Sequence, residues 1–137
     1  MQSKLNPYIG FNGNARQAME FYHSVFGGEL VLNTFGESNA SSDPSEDDLI
    51  MHAMLVATNG MTLMASDTPK QMEYKPGTNV SVSLSGDDEA ELRPYFEKLS
   101  QGGTIAVPLE KAPWGDTFGM LNDKFGIGWL VNITGKK

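Results

Sequence analysis

The sequence predicts an α+β protein made of two βαβββ half-repeats, and two observations carry this prediction. Runs of strand-forming residues and two amphipathic helical segments follow the order β, α, β, β, β, linker, β, α, β, β, β. Both predicted helices end at a pair of glycines, Gly27-Gly28 and Gly102-Gly103. The chain therefore uses one supersecondary unit twice.

The 137 residues are expected to form a single domain, residues 1–137. The first βαβββ module covers residues 1–67, and the second covers residues 78–137. We expect residues 68–77 to be the linker, because this stretch holds two prolines among long polar side chains.

The first half opens with a predicted strand over Leu5–Phe11. A turn follows, in which Asn14 is the candidate N-cap of the first helix. The second strand is predicted over Glu29–Phe35. The helix between them carries one apolar stripe at helical spacing: Ala15, Ala18, Met19, Tyr22, Val25 and Phe26.

An acidic loop and a hairpin complete the first half. Gly36–Asp48 is rich in Ser, Asn and acidic residues, which predicts a solvated loop; whether it closes over a ligand is left open. Leu49–Ala57 and Met61–Ala65 are apolar runs separated by Thr58-Asn59-Gly60. An Asn-Gly pair between two such runs predicts a tight hairpin.

The second half repeats the order with one irregularity in its helix. Asp87 or Asp88 is the predicted cap. Pro94 interrupts the helical pattern, so the helix either starts near Arg93 or is kinked. The apolar stripe consists of Leu92, Tyr95, Phe96 and Leu99. The strands are predicted over Asn79–Leu84, Thr104–Leu109, Thr117–Asn122 and Gly128–Ile133.

Composition and motifs exclude several functions. A net charge of −7 disfavours nucleic acid and anionic membranes as partners. The absence of cysteine excludes disulfides and thiolate chemistry, and with no signal peptide or long apolar run it is consistent with a cytoplasmic protein. Phosphate-binding glycine loops and the Gly-x-Ser-x-Gly nucleophile elbow are also absent.

Four segments resemble the PhnB-like branch of the vicinal oxygen chelate superfamily, the group of glyoxalases, bleomycin-resistance proteins and extradiol dioxygenases. They are Asn14–Tyr22 with Phe26–Glu29, then Ile50–Ala53, Trp114–Asp116 with Phe118-Gly119, and Asp123–Ile127 with Trp129. The resemblance implies that the two modules curve into an open, barrel-like cup that holds the ligand. It also implies a homodimer.

Metal-dependent members of that superfamily hold a divalent ion with His, Glu or Gln side chains at four places. Only the place in the third strand, His52, carries a strong ligand here. One imidazole among amides and hydroxyls is a poor donor set for a divalent ion. No cofactor is therefore predicted, and a divalent metal, if one binds, would use His52.

Six residues are the candidate ligand-binding set, each with a structural alternative. His52 and Met54 alternate with Ala53 and Leu55, so we expect them to face the cup together with Ile50 and Val56. His52 is otherwise a core histidine bonded to a neighbour, and the methionines are otherwise ordinary core residues. The other candidates are four aromatic residues: Tyr8, Trp114, Phe118 and Trp129. The two tryptophans either stack on a ligand or pack in the core.

The function favoured by the sequence is binding of a small apolar or aromatic molecule in the cup, without a metal. One alternative is a metal-dependent lyase, isomerase or dioxygenase that uses His52. A second is methyl transfer, which the branch is often labelled with and for which the sequence shows no cofactor motif. Whether the protein is an enzyme stays open on the sequence alone.

Overall fold

Each half of the chain folds as one helix on one four-stranded sheet, which confirms the predicted α+β class and its two βαβββ halves. The computed structural model describes residues 3–38 and 43–135. The chain divides into two units, Met1–Pro76 and Gly77–Lys137. Neither helix in the described residues is long and apolar enough to span a lipid bilayer.

The first unit has the sheet order β1-β4-β3-β2. Strands β1 and β4 are parallel, and the neighbouring pairs are antiparallel. A short 3-10 helix, Pro44–Glu46, precedes β3. The elements are β1 Tyr8–Phe11, α1 Ala15–Phe26, β2 Glu29–Thr34, β3 Ile50–Val56 and β4 Thr62–Asp67.

The second unit repeats this arrangement with the order β5-β8-β7-β6, in which β5 and β8 are parallel. Its first strand begins later than predicted, at Val82 instead of Asn79, and Val80 is 80% exposed. The elements are β5 Val82–Gly86, α2 Glu89–Leu99, β6 Thr104–Lys111, β7 Thr117–Asn122 and β8 Gly128–Ile133.

Helix α1 forms as predicted, because all six residues of its apolar stripe are buried against β2, β3 and β4. Its N-terminus differs from the prediction. Asn14 occupies the N-cap position, but its side chain makes no capping hydrogen bond. The carboxylate of Asp67, at the end of β4, instead accepts hydrogen bonds from the backbone N–H groups of Gly13 and Ala15.

Most described residues of the acidic loop are exposed, as predicted, and Glu46 is the exception. Residues 39–42 of it lie outside the described residues. Glu46 is buried, and its carboxylate accepts a hydrogen bond from the backbone N–H of Lys70 at 2.8 Å. Asp43 binds the Lys70 ammonium at 3.3 Å, and hydrogen bonds from Ser45 and Lys70 lower the pKa of the Asp43 carboxyl. The loop is therefore fastened to the start of the linker.

Helix α2 begins at Glu89, capped by the Asp88 carboxylate, and runs through Pro94 without a break. Of the two readings that the sequence allowed, a start near Arg93 is therefore wrong. Leu92, Phe96 and Leu99 are buried as predicted, whereas Tyr95 is only half-buried. Partial burial and the charge of Glu91 raise the pKa of the Tyr95 phenol.

Replacing Pro94 with Ala is expected to stabilise the protein. Proline lacks the N–H that would bond to the Ala90 carbonyl and is exposed, so its removal costs no packing. A proline inside a helix costs about 3 kcal/mol relative to alanine. Because alanine also makes the unfolded chain more flexible, about 1 kcal/mol of this is lost, so the free energy of unfolding should rise by about 2 kcal/mol. Urea unfolding of both proteins checks this value, and a less stable variant would contradict it.

Candidate functional site

The first sheet has one face covered by α1 and one that carries no helix. Pairing along the strands assigns each side chain to a face, because residues directly opposite one another on neighbouring strands point the same way. We call the side opposite α1 the helix-free face of the first sheet. Its residues are Tyr8, Gly10, Glu29, Val31, Asn33, His52, Met54, Val56, Thr62, Met64 and Ser66.

Polar and apolar side chains on this face separate into two rows that cross the strands. We call one the polar row. It consists of Asn33 and its pairing partner His52, together with Ser66 on β4. The other is the apolar row. It consists of four side chains that pair in turn across the strands: Val31, Met54, Met64 and Tyr8. Glu29 and Val56 lie beyond the apolar row, farther from His52.

His52 stands at the centre of the polar row and is half-buried. The centroid of its imidazole lies 5.9 Å from that of the Tyr8 ring, with 30° between the planes. Within residues 3–38 and 43–135, no side chain or backbone group hydrogen-bonds to this imidazole. The alternative of a core histidine bonded to a neighbour is therefore not what the structure shows.

Ile50 does not share this face, although simple alternation with His52 predicted that it would. It is fully buried, and the pairing of β2 with β3 shifts its register between Asn33 and Thr34. The backbone N–H of Ile50 donates to the second carboxylate oxygen of Asp67 at 2.9 Å. This irregularity turns Ile50 into the core while His52 remains outside it.

The second sheet also has a face opposite its helix, which we call the helix-free face of the second sheet. Phe118 lies there and pairs with Asn132. Trp114, in the turn before β7, is 66% exposed, and its ring lies 6.2 Å from that of Phe118. Asp116 fixes this turn by accepting hydrogen bonds from the Asn132 side chain and the Gly135 backbone. Met120, Leu130 and Val107 share the face.

Trp129 is the one candidate of the six that lies in the core of its unit. It is 2% exposed and lies on the side of the second sheet that packs against α2. Its indole N–H donates to the buried carboxylate of Asp123 at 2.9 Å. Asp123 also forms the predicted turn, accepting from the backbone of Phe125 and Ile127. Trp129 therefore belongs to the core.

The residues around His52 do not fit the metal site of the superfamily. In the part of the chain that the structure describes, no three His, Cys, Asp or Glu side chains cluster as metal ligands would. The other groups of the polar row are an amide and a hydroxyl, which bind divalent ions weakly on their own. Both oxygens of the nearby Asp67 carboxylate already accept backbone hydrogen bonds.

Sequence reasoning missed Val31 and Asn33, and it did not separate Met64 from ordinary core. The signal was present in β2, where Val31 and Asn33 alternate with Leu30 and Leu32. Both sets are partly apolar, so alternation alone could not decide which one faced the helix. The pairing with β3 decides it.

The comparisons with known proteins agree with this architecture. Residues 3–132 match a family described as 3-demethylubiquinone-9 3-methyltransferase, a description that assigns no reaction to this chain. The crystal structure of protein PA1353 from Pseudomonas aeruginosa is 38% identical, with a TM-score of 0.85 over 98% of this chain and 100% of the other. A PhnB protein from Bacillus cereus is 29% identical, with a TM-score of 0.74 over 96% and 100%.

A more distant structure extends the likeness in fold alone. It is a glyoxylase/bleomycin resistance protein/dioxygenase domain from Frankia sp. EAN1pec. That domain is 13% identical, with a TM-score of 0.64 over 100% of this chain and 95% of the other. The fold is therefore that of the superfamily that the sequence motifs resemble.

Proposed function

This chain belongs to the PhnB-like family, and from that premise we propose that it binds a small apolar or aromatic molecule on the helix-free face of its first sheet. The observation that carries the proposal is the apolar row beside the His52 imidazole, to which no group in the described residues hydrogen-bonds. Tyr8 is 52% exposed and Val31 is 55% exposed, although both lie within a sheet. Apolar surface of this kind, bordered by polar groups, is typical of a binding site.

The methionines of the apolar row suit such a ligand. Met54 and Met64 lie opposite one another on β3 and β4, and both are half-buried. Methionine has three rotatable bonds and a polarisable sulfur, so it adapts to ligand shape and packs well against aromatic rings. Phe118 and Trp114 give the second sheet a smaller aromatic surface of the same character. We propose this surface as a separate apolar contact surface of the second unit, in which the buried Trp129 takes no part.

Replacing Met54 with Ala is expected to weaken binding of a bound aromatic compound, with naphthalene as the first probe. The lost contact area predicts a rise in Kd of about fivefold, equivalent to about 1 kcal/mol. Titration followed by NMR, with methionine methyl groups labelled, measures this Kd. The signals of Met54 and Met64 should move, and that of Met19, which is fully buried on the apolar stripe of α1, should not.

The matched control is Met72→Ala, because Met72 is 63% exposed and lies between β4 and β5, where it belongs to neither helix-free face. It should leave the Kd unchanged. If no apolar or aromatic compound in a broad panel moves the Met54 and Met64 signals, the proposed function is wrong.

Two expectations from the sequence accompany this proposal as predictions. The family resemblance predicts pairing as a homodimer, which sedimentation of the purified chain tests directly. The composition predicts a cytoplasmic protein, which fractionation of the source cells tests.

A further inference from the structure

The polar row constrains which aromatic molecule the first sheet takes. Asn33, His52 and Ser66 place an amide, an imidazole and a hydroxyl side by side at the edge of the apolar row. Among the described residues, none of these three side chains hydrogen-bonds to another protein group. A ligand lying over Met54 and Met64 would remove water from the polar row, so these groups would lose their hydrogen bonds unless the ligand replaced them.

The charges on this face determine which kind of polar group a ligand can carry there. The helix-free face of the first sheet carries no Lys or Arg, and its one carboxylate is Glu29. The whole chain has a net charge of −7. An anionic group would therefore meet the negative field of the chain and find no Lys or Arg to pair with, whereas a neutral hydroxyl both donates and accepts hydrogen bonds.

We propose that the ligand is a neutral hydroxylated aromatic compound, whose ring lies on the apolar row and whose hydroxyl bonds to His52 and Asn33. This inference rests on the proposed function, since it concerns the same face. A nitrogen of the imidazole can accept a hydrogen bond from the hydroxyl group while the Asn33 amide N–H donates one to the hydroxyl oxygen. A site built in this way discriminates against analogues that lack the hydroxyl, because its polar groups are then left unpaired.

Three probes of one size test the proposal: naphthalene, 2-naphthol and 2-naphthoate. We expect 2-naphthol to bind about tenfold more tightly than naphthalene, as one or two well-placed hydrogen bonds provide. 2-Naphthoate should bind more weakly than 2-naphthol. The chain has two histidines, so NMR of the imidazole nitrogens assigns the contact directly. His52 should respond to 2-naphthol, whereas His23, whose ring bonds to the Gly28 carbonyl at 2.9 Å, should not.

His52→Leu keeps apolar bulk on the face and removes the polar contact. It should abolish the preference for 2-naphthol and leave naphthalene binding within about twofold, while His23→Gln should change neither. Equal binding of naphthalene and 2-naphthol with unmoved His52 signals would overturn this inference and leave the proposed function standing. Tighter binding of 2-naphthoate would also overturn it. Failure of all three probes to bind would count against the proposed function itself.

Discussion

Replacing Asp67 with Ala is expected to lower the free energy of unfolding by about 4 kcal/mol, because three backbone donors, two of them buried, lose their acceptor at once. One carboxylate oxygen accepts from Gly13 and Ala15 at 2.9 and 3.0 Å, and the other accepts from Ile50 at 2.9 Å. Asp67 is 3% exposed, so water cannot take over its bonds to Ala15 and Ile50 without entering the core. Urea unfolding followed by circular dichroism measures the change.

Asp48→Ala is the matched control, since Asp48 is exposed and outside any strand or helix. Its effect should stay within about 0.5 kcal/mol. Asp67→Asn keeps the shape of the side chain but turns an NH₂ group toward a backbone N–H, so an intermediate loss of about 2 kcal/mol is expected. An Asp67→Ala protein that unfolds at the same urea concentration as the parent would refute this account of the carboxylate.

The Asp67 substitution should also affect the candidate site. Asp67 joins the beginning of α1 to Ile50, which lies two residues before His52 on β3. Loss of this link frees the start of β3, so the His52 imidazole signal should broaden or shift in the variant even where the protein remains folded.

Replacing Gly28 with Ala is expected to cost about 3 kcal/mol or more, because both the backbone conformation and the space at this position exclude a side chain. Gly28 has a φ of +90°, and a Cβ there would lie 1.9 Å from the Val56 carbonyl oxygen. The neighbouring backbone belongs to the end of β3 and cannot move without disturbing the sheet. Thermal and urea unfolding measure the loss.

Gly60→Ala separates strain from steric exclusion. Gly60 has a φ of +91°, almost the same as Gly28, but a Cβ there meets nothing within 4 Å. This control should therefore cost only the left-handed conformation, about 1 kcal/mol. Equal losses in Gly28→Ala and Gly60→Ala would show that the close approach to Val56 is unimportant.

The second half contains the same device. A Cβ on Gly103 would lie 2.2 Å from the Asn122 carbonyl oxygen, at the end of β7. In both halves the second glycine of the pair thus lies directly against a strand end of the hairpin. The sequence shows the paired glycines only as helix stops. The close contact is a second physical reason why a side chain is excluded at these positions.

Local chemistry in the sequence was enough to predict most elements. The stripe of α1 and the Thr58-Asn59-Gly60 turn depend on side-chain periodicity and backbone preference within a few residues. Both were confirmed for that reason. The bounds of β1 and β5 were less accurate, because strand ends depend on the partner strand with which they pair.

The candidate site was only partly predictable. His52 and Met54 followed from alternation along one strand, but Asn33 joined them through pairing across the sheet. The two tryptophans lie in opposite environments, with Trp129 in the core and Trp114 exposed. The loop-like stretch after Pro113 already made a core position less expected for Trp114 than for Trp129. The burial of Trp129 depends on Asp123, whose carboxylate accepts its indole N–H across a turn.

The sequence by itself determined the order of the elements, the composition of the α1 stripe, and that His52 is the one strong ligand type at the places where the superfamily holds its metal ion. These features follow from residue type and spacing along the chain. Only the tertiary structure decided that Asp67 accepts the hydrogen bonds expected of Asn14, that Glu46 is buried, and which residues share a face with His52. Such outcomes depend on groups far apart in the sequence, whose hydrogen bonds and register form only when the strands pair.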